Sequence, residues 1–301
     1  MPSLPEFSLT SNGYRLDDAP ARLGRLAASD PAEPLDRLAG RYEEQGYLWL
    51  KGLLPRDDVL AFRRYFFSQF AATGLLAPGT DPLDGIANPA EGAGEGARKV
   101  LFQLVRSAAY ESFCLKPELW SFLDRFLGGM STLHKRKLIR YTRPNDPSST
   151  GAHYDLVYLR GGTKRLVTAW IPVGDVPVHM GGLVYLEGSH RIGRGLEEEF
   201  ARANADLPPQ ERISAFNRNM SETGWMSKDL PDIADRFDRR WLIADYEAGD
   251  VVLHSPYTIH AATTNVDPDG LMRLSTDIRH QPVAEEIDAR WSNHWSPDDG
   301  L

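Results

Sequence analysis

From Thr132 onward the chain is divided into short apolar runs, and this pattern limits the fold more than any other feature. Eight runs, residues 132–142, 155–160, 165–173, 183–187, 242–247, 250–254, 257–263 and 271–280, carry the branched and aromatic residues that suit strands. Turn formers separate most of them: Pro144-Asn145-Asp146-Pro147, Gly161-Gly162, Gly181-Gly182 and Pro268-Asp269-Gly270. Short strands with this punctuation predict a sandwich, a jelly roll or a barrel. One polar interruption, about 189–240, is long enough to be a functional insertion or a packed subdomain. Its Glu197-Glu198-Glu199 reads as a solvated helix face.

The first half is helical in character. Residues 1–34 hold five prolines and little periodicity, and read as an irregular surface arm. Leu35, Leu38 and Tyr42 share one helical face, and Gly46 ends that run. Tyr47–Leu50 is a short strand candidate. A second helix is predicted from Asp57 to Gly74, with Val59, Phe62, Phe66 and Phe70 as its apolar stripe. Residues 77–98, rich in Gly, Pro and Ala, read as a loop that closes over a site. Gly92, Gly94 and Gly96 before Arg98-Lys99 lack the spacing of a phosphate loop. Pro117 opens a third helix that ends at Gly128-Gly129.

Composition narrows the chemistry. Net charge is −8, from 34 Lys and Arg against 42 Asp and Glu, which argues against nucleic-acid and anionic-membrane partners. No apolar run reaches the roughly 20 residues that span a bilayer. The opening Met1-Pro2-Ser3-Leu4-Pro5-Glu6 does not read as a secretory signal, so a cytoplasmic protein is expected. Cys114 is the sole cysteine and reads as a small core residue, so metal chemistry here must use His and carboxylates.

Such residues occur at His153-Tyr154-Asp155. On an extended backbone His153 and Asp155 project to one face and Tyr154 to the other. An imidazole and a carboxylate side by side supply two ligands to a metal, although the same pair also occurs as a plain surface hydrogen bond. Downstream, Gly249-Asp250 leads into Val251-Val252-Leu253 and two histidines, His254 and His260. Either gives the third ligand. Two imidazoles and one carboxylate leave open positions, as in non-haem Fe(II) oxygenases, and a zinc hydrolase uses similar ligands. On the next strand candidate Arg273, Ser275, Asp277 and Arg279 form one polar face. Arg273 and Ser275 together suit a dicarboxylate cosubstrate, the guanidinium gripping a carboxylate and the hydroxyl adding a bond.

In this order and spacing, from about Gly40 to Gln281, the chain resembles the phytanoyl-CoA dioxygenase family of Fe(II)- and 2-oxoglutarate-dependent oxygenases. The resemblance is carried by Gln45–Leu54, His153-Tyr154-Asp155, Thr168–Asp175, Gly181–His190, Gly249–His260 and Arg273. It implies a mainly β fold with surrounding helices, a double-stranded β-helix (jelly roll, cupin-like barrel). A single domain over 1–301 is expected: an N-terminal arm to 34, helical support over 35–130, the barrel over 131–281 and a tail over 282–301. It selects His260 over His254, so His153, Asp155 and His260 are the expected Fe(II) ligands. Arg273 is the expected anchor for 2-oxoglutarate. Tyr154 and Trp170 are expected near the cosubstrate, with Lys137 or Arg140 as a further basic contact. Ala262 departs from relatives that carry a hydroxyl residue there, and Ser275 or Thr264 is the substitute. A carboxylate at Asp155 speaks against the related halogenases.

The implied reaction consumes O2 and 2-oxoglutarate, releases succinate and CO2, and oxidises, most simply hydroxylates, an unactivated C–H bond of a small organic metabolite. Secondary metabolism is the expected setting, and Trp225, Trp241, Trp291 and Trp295 are candidate pocket aromatics. The alternatives are an acyl-CoA hydroxylase, a hydrolase or isomerase on the same barrel, and a non-catalytic binding module.

Overall fold

The computed structural model describes residues 8–90, 94–214 and 224–296. Two sheets lie at its centre. The larger has seven strands: Ala28–Ser29, Tyr47–Leu50, Val251–His254, Val167–Pro172, Arg273–Pro282 and Ser131–Leu133 in order, with Leu138–Thr142 also paired to Arg273–Pro282. The smaller has four: His260–Ala262, Leu183–Leu186, Trp241–Ile243 and Leu23–Arg25. Non-consecutive neighbours in both sheets and a mainly antiparallel register match the jelly-roll expectation.

Side-chain alternation sorts the core into layers. Tyr47, Trp49, Trp170 and Val252 of the large sheet share a buried cluster with Leu183, Tyr185, Leu242 and Ala262 of the small one. Their strand neighbours Leu48, Leu50, Ala169, Ile171, Val251 and Leu253 turn the other way, onto the helical aromatics Phe62, Phe66 and Phe122. Val184, Leu186, Trp241 and Ile243 face a third cluster that includes Leu230, Ile233 and Ala234 of the insertion. A period of two therefore sends one set of residues between the sheets and the other outward.

The helices follow local signals. Leu35–Gln45 ends where Gly46 takes φ 78° and returns its N–H to Tyr42. Pro117–Leu127 ends likewise at Gly128, φ 80°. Arg56–Ser68 stops six residues before Gly74. There the chain tightens into i→i+3 bonds, Phe70 to Phe67 and Thr73 to Phe70, and Phe70 meets Tyr141 at 5.5 Å between ring centroids. Two unexpected helices follow, Glu95–Leu104 and Ala108–Cys114, so the Gly-rich loop gives way to helix at Glu95. The second carried a sequence signal, a Ser107 cap whose hydroxyl accepts from the Tyr110 N–H.

Four further expectations are corrected. Residues 8–34 are no irregular arm: Leu23–Arg25 pairs in parallel with Trp241–Ile243, Ala28–Ser29 with Tyr47–Leu50, and Leu9, Leu16, Leu23 and Leu26 are buried. The run 132–142 is two strands against different ends of Arg273–Pro282, because the Arg136 N–H leaves the ladder to bond Trp291. The run 155–160 is a helical turn, Leu156–Leu159, whose first N–H bonds the Pro256 carbonyl. The insertion is helical over Ser189–Ala203, Pro209–Ser214 and Leu230–Phe237, and Glu197 is buried rather than solvated.

Candidate metal centre

His153 and His260 are brought together by their main chains. Each donates its N–H to the other's carbonyl, at 3.1 and 2.9 Å, in an isolated antiparallel bridge. Their rings lie 4.3 Å apart between centroids. Extended backbone stops at His153. Asp155 already has helical dihedrals, φ −65° and ψ −30°, and starts the Leu156–Leu159 turn. Its carboxylate nevertheless returns to the histidines, with Oδ1 3.8 Å from both Nε2 atoms. One ligand atom from each residue lies within 4.8 Å of the others, and all three residues are buried.

Hydrogen bonding selects which atoms face the ligand space. The Nδ1 of His153 is 2.8 Å from the Gly151 carbonyl and that of His260 is 2.9 Å from the Thr258 carbonyl. Carbonyls only accept, so both Nδ1 atoms carry the proton and both Nε2 atoms present lone pairs. On Asp155, Oδ2 accepts from the Thr168 hydroxyl at 2.5 Å, Arg279 Nη2 at 3.0 Å and His254 Nε2 at 3.4 Å. Oδ1 is buried without a hydrogen-bond partner among the described residues. A carboxylate oxygen so placed beside two Nε2 lone pairs fits a divalent cation.

The electrostatics agree. Burial pushes the His153 and His260 imidazoles down, the second further because His153 and His254 adjoin it, so both are neutral ligands at neutral pH. Burial opposes ionisation of Asp155, but Arg279, His254 and His260 together hold its carboxyl well below the usual range.

The remaining candidates divide. Arg273, Ser275, Asp277 and Arg279 lie on one face of their strand, and Trp170 stands opposite Asp277. Arg273 is buried; its Nη1 donates to the Gly181 carbonyl at 2.5 Å and its Nη2 to Thr142 Oγ1 at 2.8 Å, while Nε has no partner among the described residues. Arg140 lies across from Ser275 and pairs with Asp277 at 2.9 Å. Lys137 turns to the helical layer and pairs with Glu111 at 2.7 Å. Tyr154 turns away from the triad, and its hydroxyl donates to Glu197 at 2.7 Å. Neither joins the triad. Thr264 Oγ1 lies 3.5 Å from Ser149 Oγ.

His254 is no member of the triad but buttresses it, held from behind by Tyr185 at 3.2 Å. Sequence reasoning missed the roles of Thr168, Arg279 and Glu197. The first two left a signal, a polar residue at an inward position of an apolar strand. Among the four tryptophans, Trp291 lies under Arg279, whereas Trp241 is core and donates to the Leu230 carbonyl.

Comparison with known proteins locates this arrangement. The family model described as phytanoyl-CoA dioxygenase matches residues 42–273. A 1-deoxypentalenic acid 11-beta-hydroxylase of Streptomyces arenae is 30% identical over 264 residues, covering 85% of this chain and 83% of the relative. Among solved structures, the epimerase SnoN in complex with Fe3+, alpha ketoglutarate and nogalamycin RO has a TM-score of 0.55 at 19% identity, covering 84% of this chain and 85% of that one. The non-heme alpha ketoglutarate dependent carbocyclase SnoK has a TM-score of 0.55 at 22% identity, covering 87% and 90%. Those two likenesses bear on the fold.

Proposed function

This chain belongs to the phytanoyl-CoA dioxygenase family, a class of 2-oxoglutarate-dependent non-haem iron enzymes, and from that premise we propose that it hydroxylates an unactivated C–H bond of a small organic metabolite. The observation that carries the reading is the buried His153-Asp155-His260 set, with both Nδ1 atoms tied back and Asp155 Oδ1 left without a partner among the described residues. Hydroxylation, rather than epimerisation or ring closure, is supported by the 30% identical relative, itself a 1-deoxypentalenic acid 11-beta-hydroxylase.

In this reading His153, Asp155 and His260 hold Fe(II). The bound iron and 2-oxoglutarate supply the oxidising power from O2, with succinate and CO2 as co-products. The chain's own residues hold and orient. Arg273, a buried cation with a donor to spare, takes the far carboxylate of 2-oxoglutarate, and Ser275, two residues along the same face, stands where a hydroxyl adds a bond. Trp170, 1% exposed, walls that space. Thr168, Arg279 and His254 fix Asp155 so that one oxygen serves the metal.

The test is turnover. Purified protein supplied with Fe(II) and 2-oxoglutarate should consume O2 and release succinate, and a candidate substrate should accelerate both. Metal-dependent turnover without any need for 2-oxoglutarate would instead identify a hydrolase or isomerase on this barrel.

A further inference from the structure

The polar face that carries Arg273 at one end carries Arg279 at the other, and Arg279 is the less satisfied of the two. It is 4% exposed. Of its donors only Nη2 has an acceptor, Asp155 Oδ2, while Nε and Nη1 are buried without a partner among the described residues. Asp155 is committed to the metal through its other oxygen, so its charge is shared. The next carboxylate on the same face, Asp277, is taken by Arg140 at 2.9 Å. A further charged neighbour is a cation: Arg136 lies 5.4 Å over the Trp291 ring that Arg279 overlies at 4.9 Å. Burial and the nearby Arg279 and Arg140 push Arg136 down to about 10. A buried guanidinium with two idle donors, beside further arginines, calls for an anion.

The surroundings specify what kind. Trp291 lies under Arg279, Trp295 lies 5.7 Å under Arg140, and the Tyr158 ring lies 5.8 Å from that of His153. Aromatic rings beside cations suit an apolar body with one charged group, and an idle guanidinium N–H suits a carboxylate oxygen. We propose that Arg279, with Arg140 at its side, recognises a carboxylate on the primary substrate, which is therefore an apolar organic acid. This rests on the function proposed above and adds the substrate class. The same contact orients the acid against the triad, since Arg279 touches a metal ligand.

The experiment compares a panel of cyclic carboxylic acids with their methyl esters. Binding is read by thermal shift of the metal-free protein and, anaerobically, by perturbation of the visible band of the Fe(II)–2-oxoglutarate complex. The acids should bind at least tenfold more tightly than their esters. Arg279→Gln should abolish that preference, Arg279→Lys should keep part of it, and Arg140→Gln, which does not touch Asp155, should reduce it. Equal binding of acids and esters, or a preference that survives Arg279→Gln, would overturn the proposal. The failures are separable. Absence of the visible band in wild-type protein counts against the iron reading, while acid selectivity is still measured by thermal shift.

Discussion

His153 and His260 exchange both main-chain hydrogen bonds, so the two imidazoles of the triad are cross-strand partners. Their spacing follows from this isolated antiparallel bridge, in which opposite residues hold their Cβ atoms about 5 Å apart. Asp155 is placed differently. It starts a helical turn and is steered by Thr168, Arg279 and His254 on one oxygen. The centre thus combines a rigid histidine pair with a carboxylate set by its hydrogen bonds.

Metal binding should therefore be measurable without turnover. Chelator-treated protein should take up one divalent ion, and at about 100 times its Kd the ion adds about 2.7 kcal/mol to stability. Asp155→Asn keeps the shape but removes the anionic ligand, and should weaken binding by more than about 100-fold. Calorimetry with Mn(II), alongside circular dichroism to confirm folding, checks this. Unchanged affinity in that variant would remove Asp155 from the metal.

Arg273→Gln should separate cosubstrate from metal. The guanidinium is buried and burial pushes it down to about 10, which leaves it charged at neutral pH. Losing one partner of a buried charge pair costs about 3 kcal/mol, or about 100-fold. The KM for 2-oxoglutarate should rise by that factor with metal affinity intact. A KM unchanged within about threefold would place the cosubstrate's far carboxylate elsewhere.

What was legible in the sequence was whatever obeys a short period. Alternation marked Arg273, Ser275, Asp277 and Arg279 as one face, and the helix-ending Gly46 and Gly128 were visible from residue type. Leu156-Val157-Tyr158-Leu159 was misread because four apolar residues satisfy strand and helix alike, and a long-range bond from Leu156 to Pro256 decides between them. Leu23–Arg25 and Ala28–Ser29 were invisible because strands of two or three residues carry no period and pair with remote partners. Glu197 was misassigned for a related reason: Arg160, which desolvates with it, lies 37 residues away.

That pair should be a stability element. Glu197 meets Arg160 at 2.6 Å, both side chains are 7% exposed, and the Arg160 guanidinium stacks 3.5 Å from the Phe200 ring centroid. Tyr154, between His153 and Asp155, donates to the same carboxylate. Glu197→Ala removes the carboxylate from a buried cation and should cost about 3–5 kcal/mol. Tyr154→Phe removes one bond to a charged acceptor and should cost about 2 kcal/mol. Urea unfolding of both variants measures this, and a loss below about 1 kcal/mol for Glu197→Ala would show that the pair is solvated.

Acid should destabilise the fold through His134 and His280. Burial pushes His134 down to about 4, against a hydrogen bond to Gln281 that favours the charged form, and pushes His280 down to about 3. The unfolded chain binds a proton at each near pH 6.5, whereas the folded chain keeps both neutral. Below that pH the unfolded state therefore holds more protons, and stability falls as pH drops from about 6.5 toward about 4. Each histidine contributes a slope of about 1.4 kcal/mol per pH unit in that window. His280 lies edge-on to Trp120 at 5.3 Å, so His280→Phe retains an aromatic ring there without a titrating group. Unfolding free energies from pH 7 to 4.5 should show the variant's slope reduced by about one proton. An identical slope in variant and wild type would mean that His280 is protonated in the folded state.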